Sequence, residues 1–126
     1  MPEAEFWGAE PEHFDDTRRS LSAGCPVANE PGHNSICDAL LTPQPGEITF
    51  AINRRNMTGA VAVSESQVAA AMRDAMSFLK LVVEPGGAVG LAALASGEIR
   101  TEGKCVAVVL SGGNVDVEAY ARLIAA

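Results

Sequence analysis

The sequence predicts an α/β protein: three layers, with a mainly parallel sheet and helices on both faces. Three observations carry this. Strand-like and helix-like segments alternate with short connections. The six apolar residues Cys105 to Leu110 run straight into Ser111-Gly112-Gly113-Asn114, as a buried strand delivering a polar turn does. Ala88 to Ala95 is apolar on nearly every side, which suits a helix held in an interior or between two layers.

The elements follow in order. Glu5 to Ala9 reads as a short strand that Glu10-Pro11 stops. Phe14 to Ser22 reads as a helix, with Leu21 its main apolar anchor and Gly24 ending it. Cys25 to Gly46 carries Pro26, Pro31, Gly32, Pro43, Pro45 and Gly46, and is loop with a short ordered turn around Ser35 to Leu41. Glu47 to Met57 fits a helix through Ile48, Ala51, Ile52 and Arg55, although Ile48, Phe50 and Ile52 also alternate like a strand. Ala60 to Val63 is a short β-branched strand. Ser64-Glu65-Ser66-Gln67 is a capping box opening a helix to about Lys80. Val68, Ala71, Met72, Ala75, Met76 and Leu79 are its buried stripe; Arg73, Ser77 and Lys80 are its wet side. Gly97 ends the apolar helix, and Asp116 caps a final helix carrying Tyr120, Leu123 and Ile124.

A chain of 126 residues makes one domain or part of one. Its formal charge of −7 argues against a nucleic-acid partner, since phosphate binding needs clustered Lys and Arg. No apolar run approaches a membrane-spanning length. Cys25, Cys37 and Cys105 are an odd set with no C-x-x-C and no His at ligand spacing, which argues against a zinc site and for a reduced, cytoplasmic setting. His13 and His33 lie in polar, loop-like contexts and are expected at the surface.

Two glycine-rich corners stand out: Glu84-Pro85-Gly86-Gly87 before a helix, and Ser111-Gly112-Gly113-Asn114 after a strand. Their plain reading is tight turns that need glycine. Each also sets a polar group, Glu84 or Ser111, beside apolar packing, and a carboxylate placed there must be paired or hydrogen-bonded. Neither matches the dinucleotide or P-loop pattern. Glu10, Asp15 and Asp16 read first as an acidic turn at a helix N-terminus.

In order along the chain come Gly8-Ala9-Glu10-Pro11, Asp15-Asp16, Ile36-Cys37-Asp38, Leu81-Val82-Val83-Glu84-Pro85-Gly86-Gly87-Ala88 and Val109-Leu110-Ser111-Gly112-Gly113-Asn114-Val115-Asp116. Together they resemble the C-terminal part of the serine/threonine dehydratases and serine racemases, pyridoxal-phosphate enzymes of fold type II. The resemblance implies that Ser111 hydrogen-bonds the cofactor's pyridine nitrogen, with Gly112 and Asn114 in the same turn. A hydroxyl there leaves the nitrogen unprotonated, a weaker electron sink that suits β-elimination. It places Glu84 near the ring and substrate, and Asp38 and Ala39 at the cofactor's edge, where Ala39 stands in place of the usual glycine. It also implies a structural Mg²⁺ or Ca²⁺ held by Glu10, Asp16 and the carbonyl of Phe14, oxygen ligands that suit a hard ion.

The family also uses a lysine that bonds the cofactor covalently and a glycine-rich loop for its phosphate. Lys80 and Lys104, the only lysines here, lie outside any such motif. The resemblance thus implies that residues 1–126 are the last part of the large cofactor-binding domain, without the N-terminal part and the substrate domain. The expected parent reaction is α,β-elimination from L-threonine or L-serine, and the chain alone is expected to be inactive. The alternatives are an amino-acid racemase fragment, half of a split enzyme completed by a separate N-terminal chain, a truncated gene product without activity of its own, or a free-standing small-molecule-binding module. Apolar surface left without partners implies a homo-oligomer.

Overall fold

The computed structural model describes residues 4–125. Strand β1 (Trp7–Pro11) leads to helix α1 (Asp16–Ala23). A long loop with one 3₁₀ turn (Asp38–Leu40) reaches α2 (Glu47–Asn56). Then follow β2 (Gly59–Val63), α3 (Glu65–Asp74), α4 (Pro85–Ala95) and α5 (Val117–Ala125). The class is α/β as expected. β1 and β2 pair in parallel, in register from Trp7 opposite Gly59 to Pro11 opposite Val63. Parallel neighbours need a long crossover, and here α1, the loop and α2 supply it.

The core lies where the sheet meets α3 and α4. In β2 the β-branched residues Val61 and Val63 are buried while Ala60 and Ala62 are half-buried, the alternation of a pleated strand. Val68, Ala71 and Met72 of α3 meet Ala88, Val89, Ala92 and Ala93 of α4, and Tyr120 of α5 closes the cluster. Small residues let α3 and α4 approach closely. The capping box is complete: Ser64 Oγ accepts from Gln67 N–H, and Gln67 Oε1 accepts from Ser64 N–H at 2.8 Å. Gly24 ends α1 with φ +75°, a left-handed conformation that glycine adopts without strain.

Four expectations are corrected. Lys104 to Leu110 is not a buried strand: it forms no ladder among the described residues, and Val106 and Val109 are exposed, Val109 by 78%. Hydrophobicity requires that a surface be covered, and within this chain only its inner side is. A Cβ on Gly90 of α4 would lie 3.3 Å from Val108 Cγ1. Met76 and Leu79 leave the buried stripe, 45% and 52% exposed, because α3 continues as a π-helical turn (Ala75–Leu79). Its wider winding rotates the side chains out of phase with the α-helical face. The first strand does not stop at Glu10-Pro11 but runs through both residues to Pro11, and on α2 Phe50, 5% exposed, anchors the helix while Ile48 and Ile52 point outward. On α1 the buried residues are Asp16 and Ser20, and Leu21 is only half-buried.

Polar contacts explain that last reversal. Ser20 Oγ accepts from Val27 N–H at 2.8 Å. Asn29 Nδ2 donates to Asp16 Oδ1 at 2.7 Å and to the Thr42 carbonyl at 2.9 Å. Arg19 Nη2 donates to Asn29 Oδ1 at 2.5 Å. The proline-rich loop is thereby fastened to α1 without a hydrophobic core of its own. His13, in the turn between β1 and α1 with φ +68°, stacks on His33 of the loop with ring centroids 4.1 Å apart.

Candidate functional site

The two glycine-rich corners meet. Glu84 immediately precedes α4, whose first residue is Pro85, a ring pre-set for the first helical turn. The Glu84 N–H donates to the Gly112 carbonyl at 3.0 Å, and Glu84 Oε2 accepts from the Asn114 N–H at 2.7 Å. The half-buried carboxylate therefore has the hydrogen bond that its position demands. The approach is close throughout. A Cβ on Gly112 would stand 2.6 Å from Glu84 Oε1, and one on Gly113 would stand 2.8 Å from the Val82 carbonyl oxygen. Only glycine fits either place without something shifting.

Ser111 lies exposed at this corner, and its hydroxyl makes no hydrogen bond among the described residues. Asn114 and Asp38 line one cavity of about 370 Å³, together with Asp116, Arg122, Ile36 and Leu123. Asp116 is held below the ordinary carboxylate range chiefly by the Ala119 N–H, which donates to its Oδ1 at 3.0 Å at the start of α5. Ala39 packs over the start of α4, where a Cβ on Gly86 would meet its own Cβ at 3.5 Å. Six sequence-selected residues (Ser111, Gly112, Asn114, Glu84, Asp38 and Ala39) thus cluster around the first turn of α4. Asp116 and Arg122 were missed as cavity residues; only the helix-capping role of Asp116 was legible.

Glu10, Phe14 and Asp16 line a second cavity of about 310 Å³ with Ala39, Asn53 and Met57. Their expected role as metal ligands gains nothing from the geometry. Glu10 Oε1 and Oε2 accept from the Thr17 and Arg18 N–H groups, both at 2.9 Å, so this carboxylate caps α1. Burial pushes the Glu10 carboxyl up in pKa, against the pull of those two amides. Asp16 Oδ1 is held by Asn29. Among the described residues no three His, Cys, Asp or Glu side chains gather as a metal would need. Both lysines are engaged elsewhere: Lys80 Nζ with the Ser77 carbonyl at 2.7 Å, and Lys104 Nζ with Glu5 Oε1 at 2.6 Å. Cys37 is buried, and desolvation raises its thiol to about 11, so it stays protonated at neutral pH.

Asp15 ties α1 together through Arg18 at 2.6 Å and Arg19 at 3.0 Å. Burial works to raise its pKa, but the hydrogen bonds from both arginines prevail and lower it. The folded state therefore binds the proton less tightly than the unfolded chain does. The stabilisation is complete above the unfolded value of about 3.9 and is lost as pH falls through the lower folded value. Asp15→Asn is expected to reduce the unfolding free energy by about 1 kcal/mol at pH 7, a figure discounted because both arginines are partly exposed. Urea unfolding of parent and variant should converge in strong acid; a gap that persists there would refute the assignment.

Residues 1–112 match the family model described as pyridoxal-phosphate dependent enzyme. Among curated relatives, an L-threo-3-hydroxyaspartate ammonia-lyase from Pseudomonas sp is 38% identical over 123 residues. That alignment covers 98% of this chain and 38% of the relative. A serine racemase from Dictyostelium discoideum is 36% identical, covering 98% of this chain and 39% of the relative. Among solved structures, a threonine deaminase from T.th. superposes with a TM-score of 0.84 at 37% identity, covering 92% of this chain and 42% of that one. Maize serine racemase gives 0.85 at 32% identity, covering 96% and 39%. The chain thus spans well under half the length of these relatives.

Proposed function

Because the chain belongs to the pyridoxal-phosphate-dependent enzyme family, we propose that it forms the ring-facing corner of an enzyme that removes ammonia from β-hydroxy-α-amino acids. The observation that carries this reading is the interlock of Glu84, Gly112 and Asn114, which presents the Ser111 hydroxyl at a fixed, exposed turn. The corner fits the ring end of the cofactor. Ser111 offers one hydroxyl to the pyridine nitrogen, Gly112 allows close approach, and Asp38 and Ala39 bound the edge. When bound, pyridoxal phosphate would withdraw electrons from the substrate's Cα. A hydroxyl opposite the ring nitrogen, in place of a carboxylate, moderates that withdrawal and favours loss of the β-substituent.

The substrate class rests on what the relatives' names share. Hydroxyaspartate, phenylserine, serine and threonine are all amino acids with a hydroxyl on Cβ. Loss of the Cα proton and the β-hydroxyl as water, then hydrolysis, gives a 2-oxo acid and ammonia. L-Threonine and L-serine are the substrates we favour. Racemisation is the second reading, favoured by the serine racemases among the relatives.

In this reading the covalent lysine and the phosphate loop come from an N-terminal portion that packs on this one. The exposed apolar residues Leu81, Val82, Val106 and Val109 support such a partner. The 126-residue chain alone is expected to release no ammonia from L-threonine, L-serine or L-threo-3-hydroxyaspartate. Co-expressed with the N-terminal portion of a relative carrying the lysine and glycine loop, it should release ammonia and 2-oxo acid. Turnover by the chain alone would overturn the reading; D-serine as the sole product of the complemented pair would replace elimination with racemisation.

A further inference from the structure

We propose that Glu84 is a positioning residue whose carboxylate fixes the Ser111–Asn114 turn, acting through the backbone of that turn and not on a substrate. Four contacts converge on this. Glu84 grips the turn at two points, its N–H on the Gly112 carbonyl at 3.0 Å and its Oε2 on the Asn114 N–H at 2.7 Å. The carboxylate lies against Gly112, so closely that a Cβ there would stand within 2.6–2.8 Å of its carbon and both oxygens. Gly87, in the first turn of α4, backs the same residue, its own Cβ position lying 2.9 Å from both Gly112 N and Gly112 O.

The bond to Asn114 is short, 2.7 Å from a carboxylate oxygen to a backbone amide. Without it, the Asn114 N–H has no other hydrogen-bond acceptor among the described residues. The turn carries two adjacent glycines and would otherwise sample many backbone states. Glu84 thus sets where the Ser111 hydroxyl points, through a clamp seated on the residues that follow it. This deepens the reading of Ser111 as the ring-nitrogen donor and rests on that reading for its consequence. Its test uses no cofactor, so the clamp and the cofactor site succeed or fail separately.

The experiment is amide hydrogen exchange and ¹H–¹⁵N spectroscopy on the full 126-residue chain, comparing the parent with Glu84→Ala, Glu84→Gln and the surface control Glu98→Gln. In Glu84→Ala, the Asn114 amide should exchange at least tenfold faster and the Ser111 to Asn114 signals should move. Met72 and Ala92, inside α3 and α4, should keep their protection. Glu84→Gln retains an acceptor oxygen and should hold Asn114 within about threefold of the parent, as should Glu98→Gln. An Asn114 amide as slow in Glu84→Ala as in the parent overturns the proposal. If Glu84→Ala loses protection throughout, Glu84→Gln decides: parent-like Asn114 exchange supports the clamp, and a tenfold or greater increase overturns it.

Discussion

Gly87→Ala is expected to destabilise the protein by about 2 kcal/mol and to displace the turn at residues 111–114, although alanine is the better helix former. In an open helical position the same change would gain up to about 1 kcal/mol. Here the new methyl would lie 2.9 Å from Gly112 N and O, backbone atoms of a residue whose carbonyl accepts from the Glu84 N–H, and 3.1 Å from Val83 Cγ1. None of these is the loose end of a flexible side chain, and overpacking of this kind costs typically about 1–3 kcal/mol. Gly90→Ala on the same helix is the control. Its methyl would meet Val108 Cγ1 at 3.3 Å, on a chain stretch largely open to solvent. Urea unfolding should rank Gly87→Ala well below the parent and Gly90→Ala at or near it. Equal stability of the two variants would show that the corners are not rigidly interlocked.

Met72→Ala should have the largest effect of any single truncation, about 2–5 kcal/mol. Met72 is fully buried and touches the layer between α3 and α4. The α4 residues of the same cluster, Ala88, Val89, Ala92 and Ala93, are short and on a packed helix, so they fill little of the space left. Phe78 provides the contrast. It is the larger residue but 79% exposed, and Phe78→Ala should stay within about 0.5 kcal/mol. Chemical denaturation of the two variants checks the pair, and a Met72→Ala loss below about 1 kcal/mol would mean that the core collapses into the cavity.

Local signals were legible in the sequence. The Ser64–Gln67 capping box, the Gly24 stop, the Asp116 cap and the β-branched alternation of β2 each act within a few residues, and each stands where expected. The need of Glu84 for a hydrogen-bond partner was legible too, because a carboxylate beside apolar packing must find one. What failed were statements about who covers what. The Cys105–Leu110 run and the Met76 and Leu79 end of α3 were expected inside, and both are largely open. An apolar pattern records that a surface is suited to burial and is silent about which chain segment does the burying.

Taken by itself, the sequence determined the α/β class, the parallel pairing of short strands and the place of the two glycine-rich corners, which also carry the resemblance to a cofactor-dependent family. It did so because turn chemistry, capping and period are local properties of residue order. The tertiary structure alone decided that Glu84 reaches Asn114 across 30 positions, that Glu10 caps α1, and that Asp16 and Ser20 are the buried residues of that helix. Those outcomes depend on which backbone amides and carbonyls are brought within hydrogen-bond reach. That distance is set by packing between elements and is written in no single stretch of the chain.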